Sequence, residues 1–186
     1  MKDNAYYPSL RNVGKYQLYM SYFWEYTKYA DWNSIKASFG YMLFKKPPSK
    51  SWTSQSRLGR FHLRQGTNDF QFINYAYEKK IHDFVAENAK SLDVFIDVGA
   101  CIGEYCVWMA SQQVKCIAFE PVNHEACSTN FALNKVQDRI ALYKCGLGGK
   151  EEIVTFDVKK VVTSSSHISR DGSGATIPLI AANMTS

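Results

Sequence analysis

Long hydrophobic runs are missing from this sequence. No stretch reaches the roughly 18 apolar residues needed to cross a bilayer, so no membrane-spanning helix is expected. The opening residues, MKDNAYYPSL, lack the apolar core of a secretion signal, and the expected location is the cytoplasm. Cysteine is sparse. Cys101, Cys106, Cys116, Cys127 and Cys145 are odd in number and none is spaced CxxC from another. That argues against both a disulfide framework and a zinc site, and predicts reduced thiols packed as small hydrophobes. No metal is expected. Acidic residues are absent from one long segment: between residues 31 and 69 there are seven basic side chains and no acid.

What is present fits an ordinary globular chain. Its 186 residues suit one domain, or one domain with an extension, and can bury a core unaided. Residues 1–90 carry fourteen Lys/Arg against seven Asp/Glu, and residues 91–186 carry eight against ten. The imbalance points to an anionic partner for the N-terminal part.

Residues 1–63 read as an aromatic, basic extension. KYQLYMSYFWEYTKYADW places Tyr19 and Phe23 at helical spacing, with Leu18, Tyr22 and Tyr26 on another face. FKKPPSKSWTSQSR reads as a linker. TNDFQFINYAYEKKIHDFVAENAK predicts one helix, with Ile73, Tyr77, Ile81 and Val85 every four residues and Asn68 with Gln71 as a capping pair. From there strands and helices alternate: DVFIDV, EYCVWMASQ, VKCIAFE, NHEACSTNFALNK, IALYKCGL, then EEIVTFDV as a hairpin partner. Such alternation implies βαβ units and a mainly parallel sheet. Residues 163–186 read as a polar tail, loop or disordered, in which TIPLI could form one more strand.

The chemistry-bearing stretch is Asp97-Val98-Gly99-Ala100-Cys101-Ile102-Gly103-Glu104, at the carboxyl end of the first parallel strand. Ligands of α/β sheets bind at that end. Gly99 and Gly103 permit a sharp turn and close approach of a ligand. Glu120, at the end of the next strand, suits the two hydroxyls of a ribose. The dinucleotide pattern GxGxxG is missing, because Cys101 and Glu104 stand where its second and third glycines belong. A carboxylate in the first helical turn repels a pyrophosphate and favours a cation. S-adenosylmethionine, with a ribose, a sulfonium and an ammonium but no phosphate, fits better than NAD.

These residues resemble the FkbM-type family of S-adenosylmethionine-dependent methyltransferases. The words that carry the resemblance are FIDVGACIGEY, AFEPVNHEACSTNFALNKV and LYKCGLGGKEEIVTFDV, with LRQGTNDFQF upstream. The resemblance implies a Rossmann-like α/β fold over residues 64–162, incomplete at its C-terminus, with the N-terminal helical extension outside it. It implies that Gly99, Cys101 and Gly103, with Ala100 and Glu104, line the methionine portion of the cofactor. Asp97 would orient its amino-acid end, Glu120 would hold the ribose, and Cys145 and Gly146 would border the adenine. Asparagine is common in the family where Cys101 stands, and a thiol is the weaker hydrogen-bonding group. The family also continues into a fourth strand ending roughly DvEG, which does not follow Val158 here. The expectation is therefore a truncated or interrupted member.

The implied reaction is methyl transfer to a hydroxyl of a sugar, glycan or other small molecule. His82 and His124 read as surface histidines, His167 sits in the polar tail, and none is assigned as a base. Two rivals stand beside this reading. One is a non-catalytic remnant that binds cofactor or a partner. The other is a nucleic-acid methyltransferase, ranked lower because no Asn/Asp-Pro-Pro-aromatic word is present. The N-terminal part has three readings: a packed cap, a lid over the acceptor, or a peripheral contact with an anionic membrane. Oligomeric state is not legible.

Overall fold

The computed structural model describes residues 15–158, 166–169, 172 and 174–181. The start of the extension and much of the polar tail lie outside the described residues. The aromatic segment forms two helices, α1 (Tyr16–Lys28) and α2 (Trp32–Phe44). Asp31 sets the break between them. Its Oδ1 accepts from the Ser34 backbone N–H at 3.0 Å, capping α2. Its Oδ2 accepts from the Ser54 hydroxyl, fastening the cap to the next element.

That element is an antiparallel hairpin, β1 (Trp52–Ser56) with β2 (Gly59–Leu63). Part of the segment read as a linker is thus a strand. Serines at the inward positions hide the alternation, since Ser54 and Ser56 are buried alongside Leu58, Phe61 and Leu63. The long helix expected after it is two: α3 (Asp69–Phe72) and α4 (Lys79–Asn88). Asn74 breaks the run. Its Oδ1 accepts from Ala76 N–H at 3.0 Å and its Nδ2 donates to the Tyr22 carbonyl at 3.0 Å. Asparagine here competes with the helical ladder, as its short polar side chain allows.

The alternating half follows its predicted order. β3 (Val94–Val98), α5 (Glu104–Ser111), β4 (Lys115–Phe119), α6 (His124–Asn134) and β5 (Ile140–Tyr143) give a parallel sheet in the order β3-β4-β5. The architecture is α/β. IALYKCGL is split between β5 and β6 (Gly146–Gly148). β6 joins a second sheet with β7 (Glu152–Asp157), β8 (His167–Ile168) and β9 (Ala175–Ala181), ordered β6-β9-β7-β8. EEIVTFDV therefore pairs antiparallel with β8 and β9, and TIPLI lies within β9.

One hydrophobic core runs from Tyr26 and Tyr41 through Leu58, Phe61 and Leu63 to Val107, Met109 and Phe131. The edge of β2 is satisfied by side chains rather than by another strand. Asn134 accepts from Arg60 N–H at 2.9 Å and donates to its carbonyl at 2.6 Å. One turn earlier on α6, Asn130 accepts from His62 N–H at 2.8 Å. Two asparagines at i,i+4 therefore act as a substitute strand. The far face of the parallel sheet is bare among the described residues: Val94, Ile96 and Val98 are all exposed, Ile96 at 59%.

Candidate functional site

The turn between β3 and α5 is wound on three left-handed residues: Gly99 (φ 85), Cys101 (φ 52) and Gly103 (φ 81). The two glycines adopt this conformation freely, whereas Cys101 carries a side chain there at some cost. Gly99 N–H donates to the Phe119 carbonyl at 2.8 Å, and Gly103 N–H to the Ala100 carbonyl at 2.6 Å. The glycines differ in what surrounds them. A Cβ on Gly99 meets nothing within 4 Å, whereas one on Gly103 would sit 2.4 Å from Phe131 Cε1. Gly99 therefore fronts open space and Gly103 is a packing contact. Residues 100–104 are buried.

Glu120 joins this turn to the next. Its Oε2 accepts from Cys101 N–H at 2.8 Å, and its Oε1 accepts from Val122 N–H at 2.7 Å and Asn123 N–H at 2.8 Å. Three of its four lone pairs are spent on backbone. Its own N–H donates to the Tyr143 carbonyl at 3.0 Å, so the ends of β4 and β5 are also locked together. Cys145 and Gly146 follow immediately. Cys145 is buried and burial raises its thiol pKa. Gly146 lies under Leu179, 2.7 Å from where its Cβ would be.

Glu104 is the unusual group. It stands in the first turn of α5, and its Oε2 has no hydrogen-bond partner. Burial holds its carboxyl well above the usual carboxylate range; its own backbone N–H opposes this, and the charges of Asp97, Glu78 and Asp69 reinforce it. Asp97 lies on β3, where burial pushes its carboxyl up to about 6. The Cys106 thiol, donating to Asp97 Oδ2 at 3.5 Å, works against that rise, and the charge of Glu120 adds to it. Two carboxyls largely removed from water, Asp97 and Glu104, thus flank the turn between β3 and α5. A cation is the ligand that such a group stabilises.

Several residues of this arrangement carry no signal in the sequence. Arg64 forms a bidentate pair with Asp69 (2.7 and 2.9 Å) and donates to Asn123 Oδ1 at 2.9 Å. It ties α3 to the loop that Glu120 braces. Asn130 donates to the Ile102 carbonyl at 2.9 Å, and the Cys127 thiol donates to the Cys101 carbonyl at 3.2 Å. Tyr105 hydroxyl donates to Glu78 at 3.0 Å. His82, read as a surface residue, is fully buried and stacked between Tyr75 and Tyr105. Its Nδ1 lies 2.9 Å from the Tyr75 carbonyl, and burial lowers its pKa. It packs behind α5 and is not poised as a base. All five cysteines are buried and none is in a disulfide. Among the described residues no group of His, Cys, Asp and Glu could hold a metal ion, and no helix is long and apolar enough to cross a membrane.

No family model matches the sequence, and no curated protein matches it significantly. Among solved structures, it is similar to the crystal structure of a "putative transferase" from Pyrococcus horikoshii, with 20% identity and a TM-score of 0.40. The match covers 73% of this chain and 50% of that one. The chain therefore spans half the length of that protein. At this TM-score the likeness carries no weight for function.

Proposed function

We propose that the turn at residues 97–104 binds S-adenosylmethionine and that the chain is a Rossmann-like, FkbM-type methyltransferase acting on a hydroxyl of a sugar, glycan or other small molecule. The observation that carries the reading is the buried carboxyl of Glu104, with one oxygen unpartnered, at the end of a turn whose Gly99 fronts open space. A group in that position is costly unless something positive meets it.

The residues fit such a cofactor unevenly. Gly99 leaves room for close approach. Glu104 and Asp97 supply negative charge for an ammonium or sulfonium. At Glu120 one lone pair remains, enough for one ribose hydroxyl rather than two, because three backbone N–H groups occupy the rest. When bound, the cofactor supplies an activated methyl group. The chain's own work is positioning: Glu120 and Asn130 fix the backbone of the turn, and the two carboxyls hold the cationic end.

Because Glu104 is held protonated by its surroundings, binding a cation beside it expels its proton. Calorimetry in two buffers of different ionisation enthalpy, with S-adenosylmethionine and with NAD, reads this directly. The expected result is binding of the sulfonium compound with proton release, loss of that release in Glu104→Gln, and no heat with NAD. Binding of NAD alone overturns the proposal.

A further inference from the structure

The hairpin of α1 and α2 exposes an unusual surface. On α2, Trp32, Lys36, Phe39 and Leu43 follow each other at steps of four, three and four, so they form one stripe. Trp32, Phe39 and Leu43 are all exposed. On α1, Met20 and Trp24 are one turn apart and each is 67% exposed. Phe23 stacks on Phe39 with ring centroids 4.6 Å apart, joining the two helices. Phe44, at the end of α2, is 69% exposed. Scattered exposed apolar residues need no explanation, but a clustered set marks an interaction surface.

The charge around this surface has one sign. Lys36, Lys46 and Lys50, with Trp52, line a groove of about 530 Å³ between α2 and residues 46–52. The two acids of the hairpin do not offset them. Glu25 is buried and paired with Lys28 at 2.7 Å, and Asp31 is buried and consumed in capping. No acid of the hairpin faces water.

We propose that this face docks on an anionic lipid surface, with Trp24, Trp32, Phe39 and Leu43 entering the headgroup boundary and the three lysines lying over lipid phosphates. Tryptophans beside lysines suit that boundary, where one end of the ring is wet and the other is not. Nucleic acid is the weaker occupant. Its bases stack on aromatic rings, but Met20 and Leu43 offer no ring and are buried only by hydrocarbon. The inference is independent of the methyl-transfer reading and places an enzyme with that activity next to membrane-borne acceptors.

The test is co-sedimentation of the full chain with phosphatidylcholine vesicles containing roughly 30% phosphatidylserine, and with pure phosphatidylcholine. Binding is expected to the anionic vesicles only, and to be released by salt at about 0.5 M. Replacing Lys36, Lys46 and Lys50 with glutamate lowers the partition coefficient at least about a hundredfold. A second variant, Trp32→Ser with Leu43→Ser, loses binding while its circular dichroism stays native. Tryptophan emission shifts blue and is quenched by brominated lipid. Absence of co-sedimentation overturns the proposal. So does unchanged binding in the Trp32/Leu43 variant, or a dimer in which the same residues are protected without vesicles. Retention on single-stranded RNA without vesicle binding transfers the surface to a nucleic acid.

Discussion

Two turns at the same edge of the parallel sheet each bury a glutamate. Glu120 and Glu104 are 5% and 7% exposed, so burial alone cannot tell them apart. Their donors can. Glu120 takes three backbone N–H groups from two loops, whereas one oxygen of Glu104 takes none. A buried carboxylate with its donors in place is a structural brace, and a buried carboxyl without them keeps its proton until a positive charge arrives. The sequence reading gave both residues to the cofactor. In the structure the first also holds the two loops together.

The sharpest way to break this comparison is to remove each acid. Glu120→Ala leaves three N–H groups without acceptors and is expected to cost about 4 kcal/mol in urea unfolding. Glu120→Gln, which keeps one acceptor oxygen, should cost about half that. Glu104→Gln should fall within about 1 kcal/mol of the parent, since its carboxyl is held protonated and the amide keeps its shape. Equal losses at the two sites would abolish the distinction.

The two glycines of the first turn repeat the contrast on a smaller scale. Gly103→Ala combines a left-handed φ of 81 with a Cβ 2.4 Å from the Phe131 ring, and should cost about 3 kcal/mol. Gly99→Ala meets only the backbone penalty, about 1 kcal/mol. Its larger effect should be on cofactor affinity, because the added methyl occupies the ground a ligand would use. Pairing Gly103→Ala with Phe131→Leu should recover part of the loss and leave Gly99→Ala unaffected.

These contrasts show what a sequence can and cannot express. The strands around Phe95 and Ile117 and the helices around Val107 and Phe131 were legible because their apolar periods are local. The glycine turn was legible for the same reason. The break at Asn74 was not: the four-residue rhythm of Ile73, Tyr77, Ile81 and Val85 continues across it, and only the reach of Asn74 to Tyr22 O reveals the stop. The β1–β2 hairpin was hidden by inward serines whose burial depends on Asp31 and on the close turn at Leu58. The bracing by Glu120 was not legible either, because its partners are backbone groups, and backbone looks the same at every position of a sequence.

The smallest expected effect concerns Asp97 and its pH dependence. Its carboxyl is pushed up to about 6 in the fold, against about 4 in the unfolded chain. Between those values the folded state holds more protons than the unfolded one. Its contribution is thus complete at acid pH and is lost as pH rises through about 6. Glu104, raised further, extends the decline to higher pH. His82 runs the other way: its pKa is lowered, so its stability appears as pH rises toward the unfolded histidine value. Absolute curves therefore mix opposing slopes. The difference between the parent and Asp97→Asn isolates the carboxyl. From pH 4 to 7 the parent should lose about 1 kcal/mol more than the variant, the full shift being discounted because Asp97 keeps part of its surface in water. Urea midpoints across that range measure it. A parent that gains stability relative to Asp97→Asn as pH rises would mean that Asp97 is held charged, and that the sheet edge prefers anions paired in place over an acid awaiting a cation.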